Sequence, residues 1–342
     1  MTKPNSLFAN EELVNITQNA PLIKGTKLKN GMYEIYSDTT NAGGFGRIYQ
    51  AKNTVKNTIV AIKEFYVSQE TLGSSYSITL NGNRTRGVLE NMLNQFAKEV
   101  EVLSKISGVK GIHVPLIDGE LFSENGTQYY AMSYINGLTL TDTIKQDGAM
   151  SEEKAVTYIG QVGKVLHEAH QCEMVHCDVS PNNIMLHNEN AVLVDFGNAK
   201  SYNTDKAEKY ITRKNMENYY AQSLPGTGYG FSLSRGYTIS LEIGTPGFAP
   251  PSSHGGTVQG DVYSLAATLY YILTKEKPPY FSETKRREHC MQDELVKHGV
   301  SQTTIHAILH AMDYDLNSAT KDIMTFLCEL PQEIIIRSLL TY

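Results

Sequence analysis

His176-Cys177-Asp178-Val179-Ser180-Pro181-Asn182-Asn183, with Asp195-Phe196-Gly197 a short way downstream, restricts this chain more than any other stretch of it. The first run sets an aspartate and, five positions on, an asparagine in a short loop bounded by Pro181. Two β-type runs follow, Ile184-Met185-Leu186 and Val192-Leu193-Val194, and the second ends in the acidic turn. An Asn/Asp/Pro turn without chemistry would not bring that second strand and turn with it. One aspartate can orient a hydroxyl nucleophile, while Asn183 and Asp195 are oxygen ligands of the kind Mg2+ prefers. The ordered pair of motifs therefore suits phosphoryl transfer from Mg-ATP.

Composition sets bounds around that reading. A chain of 342 residues can hold two substantial cores. Thirty Lys and Arg against 36 Asp and Glu give a net charge of −6, so no overall basic field argues for nucleic acid or an anionic membrane surface. Four irregularly spaced cysteines (Cys172, Cys177, Cys290, Cys328) do not form a secreted disulfide framework and fit a reducing cytoplasm. The first ten residues lack a signal-peptide core, and no later run has the apolar length of a membrane helix. Nothing in the pattern selects an oligomeric state.

The expected fold class is α+β, with two lobes: a small antiparallel-sheet N-lobe with one main helix and a larger, mostly helical C-lobe. Residues 1–31 read as a polar extension, 32–135 as the N-lobe, 136–330 as the C-lobe and 331–342 as a tail. From Tyr33 a strand leads into Asn41-Ala42-Gly43-Gly44-Phe45-Gly46 and back through Arg47 to Ala51, which is a hairpin; Thr58–Phe65 is a third strand. Ser68 to Arg86, rich in Ser, Thr, Gly and Asn, reads as a loop or weak hairpin. Leu89, Met92, Leu93, Phe96, Val100 and Leu103 fall at helical spacing over Val88–Ile106. Tyr129–Ile135 is a strand ending at the lobe boundary. Ser151-Glu152-Glu153 supplies a capping hydroxyl and two acids before a helix with Ile159, Val162, Leu166 and Ala169 on one face. Asp195 to Ser252 is a long polar segment, and Asp261–Leu273 a strongly apolar helix.

Two smaller signals bear on the site. Gly43, Gly44 and Gly46 lack the Cβ that would keep a backbone from phosphate, although an ordinary hairpin turn has the same composition. Lys63 stands mid-strand in an apolar run, where a cation needs an anion; phosphate and Glu99 would serve, and an outer-face lysine is the alternative. His170, Cys172, His176 and Cys177 match no zinc spacing.

From about Met32 to Leu330 these features occur in the order that resembles a eukaryotic-type protein kinase of the sort also found in bacteria. The matching runs are the glycine-rich loop, Val60-Ala61-Ile62-Lys63, Glu99, the hinge, the His-x-Asp loop, Asp-Phe-Gly, Gly244-Thr245-Pro246-Gly247-Phe248-Ala249-Pro250-Pro251, and Asp261-Val262-Tyr263-Ser264-Leu265. The resemblance implies an ATP- and Mg2+-dependent transferase acting on Ser/Thr hydroxyls of protein substrates, itself included, with Tyr less favoured. By the same likeness, Lys63 holds the α- and β-phosphates and pairs with Glu99; Asp178 orients the acceptor; Asn183 and Asp195 hold Mg2+. Asn41, Gly43, Gly44, Phe45 and Gly46 cover the phosphates. The resemblance also implies that Ile48, Ala61 and Met185 enclose the adenine, that Met132 lies behind it and that the Ser133–Ile135 backbone bonds it. Asp261 anchors the catalytic loop.

Departures from the family pattern matter too. Asn41 replaces a glycine and tolerates left-handed backbone. Cys177 replaces an arginine that reads a phosphate on the activation segment, which argues against that switch. Ser180 replaces a lysine and brings no charge to the transferring group, so turnover is expected to be slow. Ser252 replaces a glutamate whose arginine partner is also missing, which avoids a stranded charge. The long segment with Tyr202, Tyr210, Tyr219, Tyr220, Tyr229 and Tyr237 is expected to act as a lid or docking element. Two alternatives stay open: a pseudokinase acting as a nucleotide-binding interaction module, and a small-molecule kinase of the aminoglycoside or choline type.

Overall fold

Thr58–Phe65 is β-branched and apolar because both of its faces are buried from Val60 onward. Ala61 and Phe65 face one core with Leu93, Phe96, Tyr130 and Met132, and Val60 and Ile62 face another with Tyr33, Ile35, Tyr49 and Tyr129. The computed structural model describes residues 20–43, 46–67, 83–201, 245–251, 255–279 and 284–340. They divide into two units, with Val114–Asn136 and Asp195–Gly197 joining the N-terminal one and Lys110–His113, Gly137–Val194 and the residues from Asn198 onward forming the other.

The first unit is a six-stranded sheet in the order β1-β2-β3-β4-β6-β5. Its strands are β1 (Lys27–Leu28), β2 (Tyr33–Gly43), β3 (Gly46–Asn53), β4 (Thr58–Phe65), β5 (Phe122–Glu124) and β6 (Thr127–Ser133), all antiparallel to their neighbours. Helix α1 (Asn83–Ile106) begins earlier than its apolar spacing indicates. The stretch expected as a leading extension contributes to the sheet: Leu28 pairs with Tyr33, and Leu22 donates its N–H to the Tyr49 hydroxyl at 3.2 Å.

That outer face holds a polar group that alternation alone would not place there. Glu64 is 1% exposed. It accepts from Tyr49 Oη at 2.6 Å and Tyr129 Oη at 3.2 Å, and pairs with Arg47 Nη1 at 3.4 Å. Burial raises its pKa, and these donors pull the other way. Arg47 in turn lies 3.3 Å from the centroid of the Tyr66 ring.

The second unit contains β7 (Leu138–Thr139), α2 (Leu140–Asp147), α3 (Glu152–Gln171), β8 (Met174–Val175), β9 (Ile184–His187), β10 (Asn190–Leu193), β11 (Lys200–Ser201), α4 (Val258–Thr274), α5 (Thr284–Lys297), α6 (Gln302–Ala311), α7 (Ile323–Glu329) and α8 (Gln332–Leu340). Thr139, Thr257, Ser301 and Asp322 cap α2, α4, α6 and α7 through their side-chain oxygens. Ser151 departs from expectation: it has extended cap backbone, but its hydroxyl makes no cap bond. The neighbouring Glu152 instead binds Ser301 Oγ at 2.5 Å and Ser301 N at 3.1 Å.

Helix α4 is apolar on nearly every side because it is enclosed on nearly every side. Arg287, 1% exposed, lies against the Tyr263 and Tyr314 rings and donates to the carbonyls of Pro279 and Met312 and to Tyr263 Oη. Beyond Leu330, α8 packs on α3. A Cβ at Gly160 would lie 2.5 Å from Ser338 Oγ, so glycine permits this approach.

Candidate active site

In the sheet unit three side chains form one ion cluster. Lys63 Nζ lies 2.8 Å from both carboxylate oxygens of Glu99 and 2.8 Å from Asp195 Oδ1. Strand β4 puts Lys63 on the same face as Ala61 and Phe65, not on the outer face, and α1 delivers Glu99. Lys63 is 7% exposed and Glu99 2%. Burial disfavours the ammonium, but the Asp195 and Glu99 carboxylates outweigh it and hold the Lys63 pKa well above its ordinary range. Burial raises the Glu99 pKa, and Lys63 opposes that rise. Asp195 takes left-handed backbone, with φ 61°, and its side chain is 48% exposed. Gly46, at the start of β3, is required by strand contact: a Cβ there would sit 2.9 Å from the Glu64 carbonyl oxygen and 3.3 Å from Lys63 Cε.

In the helical unit Asp178 is the centre of a hydrogen-bonded loop. Its Oδ1 accepts from Thr245 Oγ1 at 2.9 Å; its Oδ2 accepts from Asn183 Nδ2 at 3.1 Å and Asn198 Nδ2 at 3.3 Å. Asn183 Nδ2 also donates to the Asp178 carbonyl at 2.9 Å, closing the five-residue spacing read from sequence. Thr245 Oγ1 lies 3.1 Å from Ser180 Oγ, and Ser180 is fully buried. The loop hangs from α4: Asp261 accepts from the N–H groups of His176 at 2.8 Å and Cys177 at 2.9 Å and meets His170 Nε2 at 2.8 Å. This fixes Cys177 in left-handed backbone, φ 65°. The Cys177 thiol is buried among carbonyls and carboxylates, and burial, with Asp261 beside it, pushes its pKa far up. Among the described residues no His, Cys, Asp and Glu group forms a metal cluster.

The remaining expected site residues fall as follows. Ile48, Ala61, Met132 and Ser133 lie in the sheet, with Ala61 paired to Met132 across β4 and β6. Ser133 donates its N–H to the Leu116 carbonyl at 2.8 Å, and Ile135 follows the end of β6. Met185 is on β9 and pairs with Val192. Asn41 pairs with Ile48 and Gly43 with Gly46 along the hairpin. Gly44, Phe45, Ser252, the tyrosines from Tyr202 to Tyr237 and residues 1–19 lie outside the described residues. Thr245 and Asn198 were not singled out from sequence as partners of Asp178. The Gly-Thr-Pro run signals the first, and the asparagine next to Asp-Phe-Gly could have signalled the second.

An antiparallel sheet bearing a Lys-Glu-Asp cluster and a helical unit bearing an Asp-Asn loop together define a kinase-type domain. The comparison with known families agrees: the protein kinase domain matches residues 39–333. The chain belongs to the protein kinase domain family. Among curated relatives, the serine/threonine-protein kinase PknE of Mycobacterium bovis is 29% identical over 70% of this chain and 34% of its own length. The serine/threonine-protein kinase PknB of Mycolicibacterium smegmatis is 33% identical over 48% of this chain and 23% of its own. A probable serine/threonine-protein kinase of Clostridium acetobutylicum is 26% identical over 76% and 32%. The chain thus spans about a third or less of the length of these relatives. Among the described residues no helix is long and apolar enough to cross a membrane.

Proposed function

We propose that this chain transfers the γ-phosphoryl group of ATP to Ser or Thr hydroxyls of protein substrates, including its own. The observation that carries the reading is the environment of Asp178: Thr245, Asn183 and Asn198 hold its carboxylate, which stays partly open to solvent as an acceptor for a hydroxyl proton. Lys63, already charged and held by Glu99, is suited to the α- and β-phosphates. Asn183 and Asp195 offer the hard oxygen donors that Mg2+ takes, and the exposure of Asp195 leaves it accessible. Mg2+, when bound, neutralises charge on the phosphates. Ile48, Ala61, Met132, Ser133, Ile135 and Met185 are proposed to surround the adenine, with residues 41–46 over the phosphates.

Ser180 supplies an oxygen beside Thr245 and no charge, so the rate is expected to sit at the slow end for kinases. The names of the relatives favour Ser/Thr over Tyr and a protein substrate over a small molecule. Four free thiols fit a cytoplasmic domain. Mass spectrometry after incubation with Mg-ATP and a generic protein substrate tests the proposal. New phosphoserine or phosphothreonine, lost in Asp178→Asn, supports it. Phosphotyrosine alone would reverse the acceptor preference, and no phosphorylation in either form would return the pseudokinase reading.

A further inference from the structure

Tyr130 is the cross-strand partner of Lys63, with β6 and β4 setting the two side by side on one sheet face. Its ring is fully buried and packs on Phe96 of α1, centroid to centroid 5.1 Å. Phe96 precedes Glu99 by one helical turn, so the ring lies between the strand that bears the lysine and the helix that bears the glutamate. Yet the Tyr130 hydroxyl makes no hydrogen bond of ordinary geometry among the described residues. Buried hydroxyls are rarely left so, and a phenylalanine would fill the same apolar space without the cost.

The electrostatics around that oxygen name what it faces. Burial, and next the Glu99 charge, hold the Tyr130 phenol well above its ordinary pKa, so it keeps its proton and remains a donor. Tyr130 also favours the ionised form of Glu99, its hydroxyl interacting with that carboxylate as a donor although the contact falls short of an ordinary hydrogen bond.

A count of donors then exposes a shortage. An ammonium has three N–H bonds, and those of Lys63 face three acceptors: Glu99 Oε1, Glu99 Oε2 and Asp195 Oδ1. Oxygens of the α- and β-phosphates, both proposed to bind Lys63, must take two of these three bonds. Asp195 can turn to water, being 48% exposed at its side chain, whereas that of Glu99 is only 2% exposed. Asp195 therefore releases the first bond and Glu99 the second, which leaves Glu99 with an unserved oxygen in the core, and Tyr130 is the buried donor beside it.

We infer that Tyr130 is a positioning residue for the nucleotide site: its hydroxyl is a reserve donor that holds the Glu99 carboxylate in place when Lys63 is shared with phosphate. The inference rests on the kinase reading of Lys63 and deepens it. Tyr130 touches neither nucleotide nor acceptor and acts through Glu99.

The test is a double-mutant cycle with Tyr130→Phe and Glu99→Gln in the full chain. Its readouts are the Kd of a fluorescent ATP analogue with Mg2+, steady-state kinetics and thermal unfolding. Tyr130→Phe should fold with an unchanged or higher Tm and raise the Kd and the KM for ATP about fivefold to tenfold. The KM for a protein acceptor should be unchanged. In the Glu99→Gln background the same substitution should alter the Kd by less than about twofold. Wild-type affinity in Tyr130→Phe would overturn the inference, as would an equal loss in both backgrounds or a failure of Tyr130→Phe to fold. If wild type binds nucleotide but transfers no phosphoryl group, the kinase reading fails while the affinity cycle still decides the role of Tyr130. If wild type binds no nucleotide, both fall.

Discussion

Thr245 donates its hydroxyl proton to Oδ1 of Asp178 at 2.9 Å, joining two residues 67 positions apart in the chain. The same hydroxyl reaches Ser180, so a single threonine ties the Gly-Thr-Pro run to the His176–Asn183 loop. A hydrogen bond to a charged acceptor is worth about 1.5–3 kcal/mol. Thr245→Ala should therefore lower kcat by about tenfold or more, with the KM for ATP little changed, while Thr245→Ser stays within about threefold of wild type. Steady-state kinetics of the two variants check this.

Lys63 and Glu99 form a buried pair, and removing one partner strands the other. Lys63→Met should cost about 3–5 kcal/mol of stability, and Lys63→Met with Glu99→Leu should recover much of it while staying inactive. Urea unfolding of the two variants measures the difference. Equal stability would mean that Glu99 finds another partner.

Glu64 gives stability a pH dependence whose sign follows from its raised pKa. Between the unfolded value near 4.5 and the higher folded value, the native state binds more protons than the unfolded chain. This group's contribution is thus fully present below pH 4.5 and is lost as pH rises through the folded pKa. The stability of wild type minus that of Glu64→Gln should accordingly shrink as pH increases across that window and level off above it. Denaturant titrations at a series of pH values read the slope.

Cys177 is buried with its thiol pKa pushed up, whereas Cys172, Cys290 and Cys328 are exposed. Iodoacetamide at neutral pH should label those three in the native protein and reach Cys177 only on unfolding. Peptide mapping by mass spectrometry distinguishes the two cases.

Much of the fold was legible because its periodicities are strong. The β-branched strand around Lys63, the helix carrying Phe96 and Glu99, and the apolar helix behind Asp261 all follow from spacing alone. The Asp178-to-Asn183 spacing was legible for the same reason, being local to one loop. What escaped depends on distant partners. Glu64 looks like the polar half of an alternating strand until Tyr49, Tyr129 and Arg47 enclose it. Tyr130 looks like one more core aromatic until its strand register beside Lys63 is known. Ser151 looks like a cap, but the carboxylate of Glu152 serves a different helix start.

Phosphoryl transfer by wild type and by Asp178→Asn, measured with radiolabelled ATP, Mg2+ and a generic protein acceptor, tests the account at its centre. Wild type should label the acceptor, and the variant should lose at least about a hundredfold, the scale of a positioned general base. Equal labelling by the two proteins would contradict it.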